Sequence, residues 1–350
     1  MMTVEEMVAK AKADGASDIH IICGLPPKYR HSGKLENMCE DVLTYDDCVQ
    51  IARYLSGNEA AYQQFDKTGE LDAAETYAGN RCRIHIFKAQ GVPSVALRLL
   101  REEIPNLDNL GLPPAVQNLT GLHKGIVLVT GETGSGKSTT LAALIDKINH
   151  TRQDHIVTLE DPVEYLYKPD KCAINQREVG KDTKSFAEGL RASLREDPNV
   201  ILIGEMRDKD TIETAITAAE TGHLVFGTLH TGSASDAVDR MVQVFSADEQ
   251  QQIRLQLSMT LQAVLTQQLV PKKGGGRALA AEFMIVTDAI RNLIRSGNTP
   301  QIANAVATSA QIGGQTMDMA LVRLVRSGQI TREDALHYAR EPEYVKKNAM

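Results

Sequence analysis

Gly131-Glu-Thr-Gly-Ser-Gly136-Lys137-Ser138 fills every position of the pattern G-x-x-x-x-G-K-[ST]. The apolar run Ile126-Val-Leu-Val129 precedes it and reads as a buried strand. From Ser138 to Asn149 the chain places Leu141, Leu144, Ile145 and Ile148 on one helical stripe. Strand, glycine-rich loop and helix in that order are the context that separates a phosphate loop from a chance match. The bend turns successive N–H groups toward the phosphates, and the helix N-terminus adds partial positive charge. The segment therefore predicts ATP binding by Gly131, Thr133, Gly134, Ser135, Gly136, Lys137, Ser138 and Thr139. Lys137 would reach the β and γ phosphates, and Ser138 would ligate Mg2+.

A cradle alone does not hydrolyse ATP, so a carboxylate must orient water against the γ phosphate. Glu205 ends the apolar strand Val200-Ile-Leu-Ile203-Gly204, and ligands of open α/β sheets lie at the carboxyl ends of the strands. Gly204 stands where such strands usually carry the Mg2+-side aspartate, so Glu205 is expected to act through water. The plainer role for Glu205 is an ion pair with Arg207. A second acidic cluster, Glu160-Asp161-Pro162-Val163-Glu164, follows the apolar segment Ile156 to Leu159. Its three carboxylates repel one another unless a cation, Mg2+ or arginine, is near, and the alternative is a solvated acidic turn. Within it Glu160 is assigned to the metal, with Ser138, and Glu164 to the catalytic set. His223 and His230 flank an apolar strand and are seven residues apart, which argues against a shared metal site. His230 with Thr231 is expected to sense the γ phosphate, and His223 to face a domain or subunit boundary.

Outside these segments the chain has 350 residues, 42% hydrophobic and 24% charged, long enough for two domains. Residues 1–101 read as a smaller α/β domain, with strands at Ile19 to Cys23, Cys82 to Phe87 and Val95 to Leu99. A Pro- and Gly-rich linker spans 102–123, and an α/β ATPase domain with a helical C-terminal part spans 124–350. Helices are expected to dominate after about Asp236. The formal charge of -7 disfavours broad nucleic-acid binding. Five cysteines without C-x-x-C spacing read as reduced thiols of a cytoplasmic protein, and no apolar run is long enough to span a membrane.

With these segments in view, the chain resembles the secretion-ATPase superfamily of the GspE/PilT type, and within it the ATPases of type IV pilus retraction. The resemblance runs over nearly the full length. It includes Ala16-Ser-Asp-Ile-His20, Gly24-Leu-Pro-Pro27, the phosphate loop, Glu160 to Glu164, Leu194 to Asp208, Thr221 to Thr231, Pro271 to Arg277 and Gly314 to Asp318. Ala289-Ile-Arg-Asn-Leu-Ile-Arg295 is similar to the short signature of retraction ATPases, although Ser296 stands where the family pattern continues with Glu. As a helix it would turn Ile290, Leu293 and Ile294 inward and Arg291 and Arg295 outward. The resemblance implies a PAS-like N-terminal domain, a RecA-like ATPase domain and a homohexameric ring with nucleotide bound between domains. It also implies that Arg83 and Arg98 approach the phosphates. The implied work is ATP-driven pilus disassembly and twitching motility with an inner-membrane platform protein, at the inner face of the cytoplasmic membrane. Rival readings are an extension or secretion ATPase, which typically has a longer N-terminal region and a four-cysteine insert, and a nucleotide-gated binding module without turnover.

Overall fold

In the computed structural model, which describes residues 2–31, 33–100 and 103–349, the chain divides into Met1–Glu103 with Pro162–Leu166, and the remainder. The first unit opens on α1 (Val4–Ala13), whose N-cap Thr3 accepts from the Glu6 N–H while the Glu6 side chain returns the bond. After it come β1 (Asp18–Ile21), β2 (Lys28–His31), β3 (Lys34–Asn37), α2 (Tyr45–Leu55), α3 (Glu59–Thr68), β4 (Glu70–Tyr77), β5 (Asn80–Ala89) and β6 (Val92–Leu99). The strands form one antiparallel sheet in the order β3-β2-β1-β6-β5-β4. Period-two alternation buries Ile19, Ile84, Ile86 and Leu97 in one core with Val8, Ile51 and Phe65 from the helices. The same alternation puts Arg83 and Arg98 opposite each other on the other face, with Asp18 opposite Arg98.

In the second unit the expected strand extends by one residue at each end, giving β7 (Gly125–Thr130), buried throughout. The chain continues through α4 (Lys137–Thr151), β8 (His155–Glu160), β9 (Ala173–Glu178), α5 (Phe186–Ser193), β10 (Val200–Ile203), α6 (Lys209–Glu220), β11 (Leu224–Leu229), α7 (Ala234–Gln243) and α8 (Gln250–Thr260). It ends with β12 (Leu261–Pro271), β13 (Arg277–Ile285), α9 (Asp288–Ser296), α10 (Ile302–Ala307), α11 (Met317–Arg326), α12 (Arg332–Tyr338) and α13 (Pro342–Asn348). The sheet order is β13-β12-β7-β11-β10-β8-β9, parallel except for β13 at its edge. Ile126, Leu128, Ile201, Ile203 and Val225 share a core with Ile212 and Ile216 of α6 and Val238 and Met241 of α7. On the other face Gln267 of β12 donates to Thr140 of α4 at 2.7 Å. This is the mostly parallel, doubly covered α/β sheet expected of a RecA-like domain.

Helices do dominate after Asp236, but β12 and β13 form a long antiparallel hairpin among them that was not expected. Its polar residues Thr266, Gln267 and Gln268 hid the strand, yet Thr266 meets Thr130 hydroxyl to hydroxyl at 2.8 Å inside the sheet. The Pro- and Gly-rich stretch holds two 3-10 turns, Leu107–Asn109 and Pro114–Gly121, with Val116 and Leu119 buried. Arg152 donates to the Thr120 carbonyl at 3.1 Å and also to that of Leu122. No helix among the described residues is long and apolar enough to cross a membrane.

Candidate active site

Sheet order sets the site. The phosphate loop leaves the carboxyl end of β7, His230 follows β11 beside it, Glu205 follows β10 beside that, and Glu160 ends the next strand, β8. Four predicted elements thus fall at neighbouring strand ends along one edge.

The loop between β7 and α4 is held against β12. A Cβ on Gly131, at φ 138°, would lie 2.4 Å from the Gln267 carbonyl oxygen and 2.6 Å from Ser135 Oγ, so only glycine fits. Lys137 is buried and folds over the loop, its Nζ donating to the Gly131 and Glu132 carbonyls at 2.8 and 2.9 Å. Helix α4 starts directly after Gly136 with no side-chain cap, which leaves its first N–H groups for an anion. Ser135 Oγ is buried without a hydrogen-bond partner. Glu132, Thr133, Gly134 and Ser138 are exposed on the loop and first turn, and Thr139 is half-buried. An uncapped helix start, an orphan hydroxyl and a crowded glycine bend together fit a phosphate chain, and the exposed Ser138 hydroxyl fits a Mg2+ ligand beside it.

Glu205 is largely buried, and its Oε1 lies 3.1 Å from His230 Nε2 and also accepts from Arg207 Nε. The Arg207 pair weighed from sequence is therefore present, and it coexists with the His230 contact rather than replacing it. The preceding Gly204 is pinned, since a Cβ there would sit 3.1 Å from the Leu159 carbonyl oxygen and 3.3 Å from Glu160 Cα. Its own carbonyl accepts from the buried Thr228 hydroxyl. A side chain at 204 would therefore require the neighbouring β8 backbone to give by a few tenths of an ångström. Thr231 Oγ1, next to His230, is buried with no partner. Glu160 Oε1 accepts from Thr158 Oγ1 at 2.6 Å and from Gln176 Nε2 at 3.2 Å, bonds that fix the carboxylate at the end of β8.

Glu164 lies in Pro162–Leu166, which groups with the N-terminal unit, as do Arg83 and Arg98. Arg83 is exposed. Arg98 Nε holds Asp18 Oδ1 at 2.8 Å. Burial opposes ionisation of Asp18, but hydrogen bonds from Ser17 and Arg98 outweigh it and keep the carboxyl below its ordinary range. His223 Nδ1 donates to the Ala218 carbonyl at 2.8 Å and so closes the end of α6, at the amino end of β11 and away from the phosphate loop. Sequence reasoning missed Thr228, Gln267 and Glu282. Of these only Glu282 left a signal, a lone carboxylate within the apolar run Ala278 to Ile285.

The pattern of the Type II/IV secretion system protein family matches residues 1–275. The type IV pilus retraction ATPase PilT of Pseudomonas aeruginosa is 44% identical over 343 residues, covering 98% of this chain and 99% of its own. The twitching motility protein of Neisseria gonorrhoeae is 47% identical over 264 residues, 75% of this chain and 71% of its own. A crystal structure of the pilus retraction motor PilT with bound ADP superposes with a TM-score of 0.93 at 44% identity, covering 99% of this chain and 100% of its own. With a complete phosphate loop and an acid at the neighbouring strand ends, the chain belongs to the Type II/IV secretion system protein family and is a P-loop ATPase.

Proposed function

We propose that this ATPase is the motor of type IV pilus retraction, working as a homohexamer with an inner-membrane platform protein at the inner face of the cytoplasmic membrane. The observation that carries the catalytic half of this reading is the Glu205–His230 contact of 3.1 Å beside the phosphate loop. The pilus half rests on similarity along nearly the whole chain to a retraction ATPase and a twitching motility protein.

The chemistry follows from where the donors point. Backbone N–H groups of the loop and of α4, with Lys137, bind and neutralise the phosphates. Ser138 and Glu160 would hold Mg2+, which would supply Lewis-acid chemistry to the phosphates. Both contacts of Glu205 fall on Oε1, so Oε2 is the oxygen that accepts from the attacking water and aligns it. His230 and the orphan Thr231 hydroxyl face the γ phosphate and report its presence to α7, which starts at Ala234. Removal of that phosphate changes what His230 touches, and this turns hydrolysis into movement.

Deletion of the gene tests the pilus reading directly. Cells with excess surface filaments and no twitching are the expected result, whereas bald cells would place the protein in extension instead.

A further inference from the structure

The buried carboxylate of Glu282 lies outside the nucleotide machinery, yet it stands in the same row of the sheet. Leu229, Thr130, Thr266 and Glu282 are successive register partners across β11, β7, β12 and β13. That row is the last before His230 on one strand and before Gly131 on another. Glu282 is 6% exposed, and Oε1 accepts the Ala234 N–H of α7 at 2.7 Å. Its Oε2 accepts from the Arg340 guanidinium at 2.7 Å, and the Met317 N–H at the start of α11 also bonds to the carboxylate. The residue carrying that guanidinium is fixed in turn, because the Arg340 and Glu341 N–H groups donate to the buried Asp318 at 2.9 and 3.1 Å.

One side chain therefore ties the first turn of α7 to α11 and to the segment leading into α13. Only Thr231, Gly232 and Ser233 separate Ala234 from His230, so a shift of the α7 start moves the imidazole relative to Glu205. A carboxylate on two helix N-termini is favourable, and charge pairing with Arg340 sets its direction. Burial works the other way and pushes the carboxyl up, against the Arg340 charge and the Ala234 and Met317 N–H bonds, which pull it down.

We propose that Glu282 and Arg340 form a positioning pair that fixes the start of α7, and through it His230 against Glu205, so that the C-terminal helices govern the rate of ATP hydrolysis rather than ATP affinity. The proposal rests on the reading of Glu205 and His230 given above. Remote changes that displace a reacting group by as little as about 1 Å can lower turnover by orders of magnitude.

Steady-state ATP hydrolysis by the full chain tests it, with ATP binding titrated in parallel. Arg340→Gln should lower kcat about tenfold or more with KM changed less than about twofold. Arg340→Lys, which keeps the charge and folds if the first variant does not, should recover part of that loss. Glu282→Gln with Arg340→Gln should be no slower than the slower single variant, as expected of two groups acting as one. A kcat within about twofold of the parent in the Arg340 variants, or a KM that rises in step with the lost turnover, would overturn the pair's role. Glu205→Gln in the same assay separates the two ideas. If it retains turnover the underlying site reading fails, and if it alone loses turnover only the positioning pair fails.

Discussion

Two glycines and one acid decide what this sheet edge can do. At Gly131 the missing Cβ lets the loop press on the Gln267 carbonyl, and at Gly204 it lets β10 close on β8. The second position yields a stability prediction. Gly204→Ala forces a methyl to within 3.1 Å of the Leu159 carbonyl oxygen, and overpacking of this kind typically costs about 1–3 kcal/mol. A melt of that variant should shift downward accordingly, and an unchanged midpoint would show that the strand gap can relax. The position of Glu205 beside the phosphate loop was legible from its place at a strand end, because that inference needs only strand order and an acid. The Arg207 pair, two residues away, was legible too, but the contact with His230 was not, since that side chain lies 25 residues further on and meets Glu205 only after β10 and β11 pair.

Among the elements, α9 departs most from its expected use. Ile290 and Ile294 are fully buried as the stripe predicts. Arg291 is not offered to solvent. Its guanidinium donates to the carbonyls of Ser258, Met259 and Leu261 at 2.6, 3.2 and 3.3 Å, closing the end of α8. Arg295 is exposed. Charge-assisted bonds of this kind are worth about 1.5–3 kcal/mol, so Arg291→Ala should lower stability by about that much. It should leave ATP affinity intact, because Leu261 pairs with Ile126 at the amino end of β7, away from the phosphate loop. A chemical denaturation curve with a nucleotide titration checks both halves, and loss of ATP binding without loss of stability would contradict the assignment. Helices of this kind announce themselves by period and cap, as Thr316 and Thr331 also do at α11 and α12. The β12–β13 hairpin did not, because buried glutamines and threonines break the apolar run, and their partners Thr140 and Thr130 lie 127 and 136 residues away in sequence.

For the whole molecule, the sequence motifs located the phosphate loop, the acid and the histidine, and the parallel order β7-β11-β10-β8 is what sets them side by side. The N-terminal unit was legible as α/β from alternation in β5 and β6, while β2 and β3 were masked by short, largely polar strands such as Lys34–Asn37. The proposed retraction by a ring of such chains requires that nucleotide binding and nucleotide cleavage be separable, since only the second can drive movement. Glu205→Gln makes that separation. The measurement is ATP binding and phosphate release for this one variant, side by side with the parent chain. The account predicts that the variant binds ATP as the parent does and releases phosphate about 10²–10⁴-fold more slowly; turnover near the parent's would contradict it.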